Sequence, residues 1–198
     1  IMTFTDILER VRTFSAILTK PIIVDADTGY GGLVNLRHAV KSYEKVGVAA
    51  IQIEDQIFPK RCGHAKGVEV CEIQEMVKRI GVATESRNSE NFLIIARTDS
   101  RLELGLEEAI KRAEVYSEAG ADLIFVESPQ TVDEMKILKQ SIKTPLVFKM
   151  VPDGNLSDLS SKVLADLGFS ILIYPTLGFL SAANAIQQAF NEFKTTGL

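Results

Sequence analysis

The strongest constraint on this chain's fold is an alternation that runs its whole length: short apolar runs, five of the six ending in a charged residue, are each followed by a stretch with helical spacing. Runs 21–25, 49–53, 92–96, 122–126, 146–148 and 171–174 read as strands, and stretches 33–46, 71–85, 106–119, 132–141, 156–167 and 179–194 read as the helices that follow them. An opening helix at 4–18, with Ile7, Leu8, Val11, Phe14, Ile17 and Leu18 on one face and Thr5 as its N-cap, precedes the first strand. Pro21-Ile22-Ile23-Val24 has the unbroken apolar character of a parallel strand buried on both faces. Such alternation builds a parallel sheet with helical crossovers, as a barrel or a doubly wound sheet. The 198 residues, 46% of them hydrophobic, contain no low-complexity linker and are expected to form one domain over 1–198.

Chemistry gathers where the strands end. Asp25, Asp27, Glu54, Arg97, Glu127 and Lys149 all fall at or just beyond the C-terminal ends of successive apolar runs, where barrels and open α/β sheets both place their sites. Charged residues also mark where any buried strand emerges, but five consecutive strands ending this way favour one shared pocket. Three carboxylates, Asp25, Asp27 and Glu54, suit a hard cation such as Mg2+, which prefers oxygen ligands and keeps several waters. Gly29, Gly31 and Gly32 match neither the dinucleotide fingerprint nor the P-loop, and read as positions where the backbone passes close to a ligand. The second strand runs into Lys60-Arg61-Cys62-Gly63-His64, a thiol flanked by two cations and an imidazole. Positive potential favours thiolate, so Cys62 is expected to titrate near neutrality and to exchange protons with a substrate. Cys71 and His38 are read as a packing residue and a solvated one.

Composition removes several classes of function. A net charge of −4 and a pI near 5.3, with Lys and Arg dispersed along the helices, argue against a nucleic-acid surface. The apolar runs are far shorter than the roughly 20 residues needed to span a bilayer, so no membrane segment is expected. Two cysteines are too few for a disulfide framework, and free thiols suit the cytoplasm.

The segments Val24-Asp25-Ala26-Asp27-Thr28-Gly29-Tyr30-Gly31, Ile53-Glu54-Asp55-Gln56, Lys60-Arg61-Cys62-Gly63-His64 and Ala96-Arg97-Thr98-Asp99 resemble, in order and spacing, the signatures of the isocitrate lyase and phosphoenolpyruvate mutase superfamily. The Lys-Arg-Cys-Gly-His loop resembles its lyase branch, which includes methylisocitrate lyase, dialkylmalate lyase and carboxyphosphonoenolpyruvate phosphonomutase. The resemblance implies a (β/α)8 TIM-type barrel that binds Mg2+, with Mn2+ as an alternative, and cleaves a C–C bond of a small 2-hydroxy or 2-oxo dicarboxylate through an enolate-like species. It implies a metal shell of Asp25, Asp27 and Glu54, with some ligands acting through water, and Cys62 as the acid/base group. Gly63, His64 and Arg97 would hold substrate oxygens, Glu127 would line the same pocket, and the protein would be a homo-oligomer, a tetramer or a dimer.

The departures carry their own expectations. Six βα units are read where the family barrel has eight, and the family's first two strands, with their Tyr-x-Ser-Gly loop, have no counterpart, so the domain is expected to be N-terminally incomplete. Lys149-Met150-Val151-Pro152 stands where the family usually has Asn-Met, leaving Lys149 as an anion ligand, a base or an outward-facing residue. Leu180 replaces an Arg usual in methylisocitrate lyases, which turns the expectation away from a tricarboxylate. Oxaloacetate decarboxylase or phosphonomutase chemistry, and a non-catalytic barrel remnant that binds carboxylates, are the alternatives.

Overall fold

The computed structural model describes residues 2–63, 65, 67–152 and 154–197. Six strands form one parallel sheet in chain order, β1 (Ile23–Asp25), β2 (Ala50–Glu54), β3 (Leu93–Thr98), β4 (Leu123–Val126), β5 (Leu146–Lys149) and β6 (Phe169–Ile173). The helices are α1 (Phe4–Ile17), α2 (Leu33–Lys45), α3 (Ile73–Ser86), α4 (Arg101–Leu104), α5 (Leu106–Glu118), α6 (Val132–Ser141), α7 (Ser161–Asp166) and α8 (Leu177–Thr196). The sheet curls as six units of a TIM-type barrel, the α/β architecture expected from the alternation, and β1 and β6 lie at its two edges.

The period-2 alternation of the strands sorts side chains into two layers. Ile51, Ile53, Ile94, Ala96, Ile124, Val126, Leu146 and Phe148 point outward and pack against the helices with Leu36, Tyr43, Met76, Ile80, Tyr116 and Met135. The opposite face carries a smaller apolar cluster of Ala50, Ile95, Leu123, Phe125 and Val147. Continuing that inner register toward the strand ends reaches Asp25, Glu54, Arg97, Glu127 and Lys149. The ladder extends past the strands: Glu54 N–H donates to the Asp27 carbonyl at 2.9 Å, Asp55 N–H to Arg97 at 3.1 Å, and Glu127 N–H to Thr98 at 2.9 Å. These bonds hold the loop residues as firmly as the sheet itself.

Several sequence expectations shift. The α1 cap is Thr3 rather than Thr5: its hydroxyl accepts from Asp6 N–H at 3.3 Å while Asp6 accepts from Thr3 N–H at 2.9 Å, a reciprocal capping box. The helix expected at 156–167 contracts to α7, started by the Ser160 hydroxyl. Leu156 and Leu159 still pack on the core from the preceding turns, which produced the helical spacing. The one-turn α4, closed by Gly105 at φ +90°, was not anticipated because four residues carry too little periodicity. The first strand is buried on one face only, with Ile23 40% exposed, because it is a sheet edge. Cys71 is buried in the core and His38 is exposed, as read. Among the described residues no helix is long and apolar enough to cross a membrane.

Candidate active site

Arg97 is the centre of the site. It sits at the end of β3, 7% exposed, with its guanidinium 5.1 Å above the Phe125 ring. Asp99 grips it through Nε at 3.0 Å and Nη2 at 2.6 Å, and Glu127 Oε2 lies 3.3 Å from Nη2. Burial disfavours the Arg97 charge, but Asp99 and Glu127 outweigh it and hold the group above its ordinary range. Burial pushes the Asp99 carboxyl up in spite of that partner. Glu127, itself buried, receives Lys149 Nζ at 2.7 Å on its other oxygen, so Lys149 turns inward. A cavity of about 270 Å3 opens beside this pair, with Phe125, Phe148 and Met150 among its apolar lining and Gln130 and Asn155 among its polar lining.

Behind Arg97 lies a second buried network. Asp55 accepts from the Thr98 hydroxyl at 2.7 Å, Asp99 N–H at 2.9 Å, Tyr116 OH at 2.9 Å and Arg112 Nη1 at 3.1 Å. Arg112 also donates to the Cys71 carbonyl at 2.9 Å. Four donors satisfy a fully buried carboxylate, which ties the ends of β2 and β3 to α5 and fixes the spacing of Glu54 from Arg97.

The three carboxylates expected to hold a metal converge on the Lys60 ammonium. Nζ lies 2.6 Å from Asp27 Oδ1, 3.3 Å from Glu54 Oε2 and 3.9 Å from Asp25 Oδ2. The β1 loop brings Asp27 into place through a tight turn: Asp27 and Tyr30 have φ of 50° and 61°, and Gly29 at φ +96° passes over Leu36, where a Cβ would come within 3.3 Å of its side chain. Burial opposes the Lys60 charge, but Asp25, Asp27 and Glu54 together raise its pKa. Glu54 is fully buried; burial pushes its carboxyl up to about 7 against the pull of Arg97 and Lys60, and its Oε1 is buried with no hydrogen-bond partner. As arranged, no three His, Cys, Asp or Glu side chains among the described residues form a ready-made metal cage. The donor set nonetheless fits a hard cation, with three carboxylates around one positive charge and one buried oxygen in need of a partner.

The expected proton donor occupies the loop above. Cys62 is exposed, while Gly63 is buried against Arg97, Asp99 and Glu127, so closely that any Cβ there would collide with all three. Only glycine lets the loop close on the guanidinium. Arg61 is clamped through its backbone by the Gln56 side chain, N–H to Oε1 at 2.8 Å and Nε2 to O at 3.0 Å. Lys60 was read as an influence on Cys62; its ammonium is committed to the carboxylates instead. His64 lies outside the described residues. Sequence reasoning therefore placed Asp25, Asp27, Glu54, Arg97, Glu127 and Lys149 in one region, and it missed the roles of Asp99, Asp55, Arg112 and Lys60. An arginine on the apolar stripe Ala109, Ala113, Tyr116 was the available signal, since such a residue is buried only with a partner.

The geometry joins a relation that spans the chain. Residues 1–194 match the family described as Phosphoenolpyruvate phosphomutase. The 2,3-dimethylmalate lyase of Eubacterium barkeri is 41% identical over 194 residues, covering 98% of this chain and 67% of that protein. The chain belongs to the phosphoenolpyruvate mutase/isocitrate lyase superfamily. Within that superfamily, a crystal structure of 2,3-dimethylmalate lyase superposes with a TM-score of 0.93 at 34% identity, covering all of this chain and 67% of the other. Phosphonopyruvate hydrolase, solved in complex with oxalate and Mg++, superposes with a TM-score of 0.87 at 34% identity over all of this chain and 69% of that one. The chain spans 62–67% of the length of the first curated relatives it matches.

Proposed function

We propose that this superfamily member is a Mg2+-dependent carbon–carbon lyase for a small 2-hydroxy dicarboxylate of the alkylmalate type. One observation carries the reading: three carboxylates from β1 and β2 surround a single cation position beside Arg97, directly under the loop that bears Cys62. Asp25, Asp27 and Glu54 would hold Mg2+, partly through water, and Mn2+ suits the same oxygens. The ion would supply electrostatic stabilisation of negative charge on substrate oxygen.

This chain's own residues supply the rest. Arg97, held rigid by Asp99, presents a fixed positive charge to the substrate's carboxylate and to the charge that develops as the bond breaks. In the cleavage, the 2-hydroxyl gives its proton to water, the C2–C3 bond breaks and C2 becomes the carbonyl of a 2-oxo acid. The bond's electron pair passes to C3 of the departing fragment, delocalised onto its carboxylate as an enolate, and the Cys62 thiol gives C3 its proton and regains one from solvent. The cavity beside Glu127 and Lys149 receives the remainder of the substrate. Lys149 is already paired with Glu127, and the apolar walls suit alkyl groups better than a third carboxylate.

Oligomerisation belongs to the same proposal. α8 runs 20 residues without one buried side chain and exposes Phe179, Ile186, Phe190 and Phe193, an apolar area that a second copy would cover. Light scattering is expected to give a dimer or a tetramer; a stable monomer rejects it. The catalytic reading is tested by assaying 2-oxo acid release from 2,3-dimethylmalate, other alkylmalates, 2-methylisocitrate and oxaloacetate with Mg2+ and with chelator. Chelator-sensitive cleavage of an alkylmalate is expected. Turnover of oxaloacetate alone, with loss of CO2, overturns it in favour of a decarboxylase.

A further inference from the structure

Lys60 occupies the place where the proposed ion would sit. Its ammonium hydrogen-bonds Glu54 Oε2 at 3.3 Å, lies 2.6 Å from Asp27 Oδ1 and faces Asp25 at 3.9 Å. Mg2+ takes direct oxygen ligands at roughly 2.0–2.1 Å, about 0.7 Å closer than an ammonium does. The carboxylates are therefore spread around Nζ too widely to ligate an ion directly as they stand, in keeping with the absence of a three-ligand cluster among the described residues. Direct ligation requires them to draw in, and ligation through water requires the space that Nζ fills, so either needs Nζ to leave. Two cations cannot share those oxygens in a partly buried site, where the water that would screen their repulsion is largely excluded.

We propose that Lys60 is an exchangeable counter-ion: it holds Asp25, Asp27 and Glu54 together in the metal-free protein and is expelled when a divalent cation binds. The proposal rests on the metal reading above and adds a role that reading does not contain. Lys60 keeps the buried Glu54 carboxylate compensated at all times, by the tethered ammonium before loading and by the metal afterwards. It also sets a threshold of charge. A monovalent ion has no electrostatic advantage over an ammonium already in place, whereas a dication does, so the tether selects for divalent metal. The exchange is local. Gln56 clamps the Arg61 backbone on both sides, so the movement is confined to the Lys60 side chain and the residues before it, leaving the Cys62–Gly63 turn in place over Arg97.

The test reads the lysine itself. Wild-type protein is labelled briefly with an amine-acylating reagent at fixed pH, without metal, with saturating Mg2+ and with an equal ionic strength of KCl, and modification is measured per residue by mass spectrometry. Lys60 labelling is expected to rise at least fivefold with Mg2+ and to stay unchanged with KCl, while Lys111 and Lys136, exposed on α5 and α6, report no change in either. In parallel, calorimetry of Mg2+ binding to wild type and to Lys60→Met is expected to show about tenfold tighter binding by the variant, because the competitor is gone. Binding by Lys60→Met alone overturns the exchange too, because Lys60 then blocks the site and is not expelled. Mg2+ heat in wild type with unchanged Lys60 labelling, or a variant that binds no more tightly, overturns the exchange and leaves the metal reading intact. Absence of heat and of any melting shift in both proteins removes the metal site and the exchange with it. The labelling experiment needs no variant, so a poorly folded Lys60→Met does not shelter the proposal.

Discussion

Arg97 and Cys62, the two residues to which the proposed chemistry gives the main roles, are built in opposite ways. Arg97 is 7% exposed, fixed by Asp99 and Glu127, and backed by the Asp55–Arg112–Tyr116 network. Cys62 is exposed, on a loop attached through Gln56 and closed over the guanidinium by Gly63. Under the proposed chemistry the contrast separates two needs. Stabilising developing charge requires dipoles and charges that do not reorganise, hence a buried, cross-linked strand end. Delivering a proton requires a group that can approach and withdraw, hence a loop. Substitutions on the strand-end side should therefore damage folding and turnover together, whereas those on the loop side should damage turnover alone.

The largest effect is expected at Arg97. Arg97→Met leaves Asp99 and Glu127 buried with a cation removed, which should lower stability by about 3–5 kcal/mol, as breaking a buried ion pair does. Turnover should fall below detection. Urea unfolding measures the first and product assay the second; a stable Arg97→Met with normal melting would show that the strand-end half is not rigid for the reason given.

Cys62→Ser should produce the opposite profile. The hydroxyl keeps size and hydrogen bonding but is a far weaker acid, so turnover should drop by about 10²–10³-fold while stability stays within about 0.5 kcal/mol of wild type. Oxalate affinity, followed by calorimetry, should hardly change. Wild-type turnover in this variant would remove Cys62 as donor and return the proton to solvent.

Legibility in the sequence follows the same divide. Strand ends were readable because a parallel strand leaves its sheet where apolar residues stop, and the inner register of β2 to β5 then dictates that Glu54, Arg97, Glu127 and Lys149 share a side. Charge direction was not readable. Lys60 adjoins Cys62 in sequence, yet its long side chain reaches the carboxylates of two other segments, a contact that depends on loop conformation. The role of Asp55 was not readable: it stands beside Glu54 in a quoted signature segment, but Glu54 faces the pocket while Asp55 faces α5, where its partners come from distant segments.

Arg112 tests whether that hidden network positions the site. Arg112→Met removes one donor from Asp55, which keeps Thr98, Tyr116 and the Asp99 amide, so the expected loss is about 3 kcal/mol, at the low end for a buried pair. Turnover by the folded fraction should fall mainly through kcat, since Glu54 and Arg97 lose their fixed spacing. A loss of stability with unchanged kcat would confine the network to folding.

The smallest effect is expected at the core thiol. Cys71 belongs to the rigid side: it is 3% exposed, its N–H donates to the Asp55 carbonyl at 2.8 Å, and burial pushes its thiol up to about 11. In the unfolded chain the same thiol loses its proton near its ordinary value of 9.0. Between those two values the unfolded state has released a proton that the folded state still holds, so stability falls as pH rises through this window and is unaffected below it. One pKa unit corresponds to about 1.4 kcal/mol, which makes the loss attributable to Cys71 about 2 kcal/mol by pH 10.5. Other groups titrate there too, so the measurement is a difference: Cys71→Ala should flatten the alkaline limb of the stability curve relative to wild type. An alkaline limb as steep in Cys71→Ala as in wild type would mean that the core thiol is not sequestered, and the rigid side of the division would fail at Cys71.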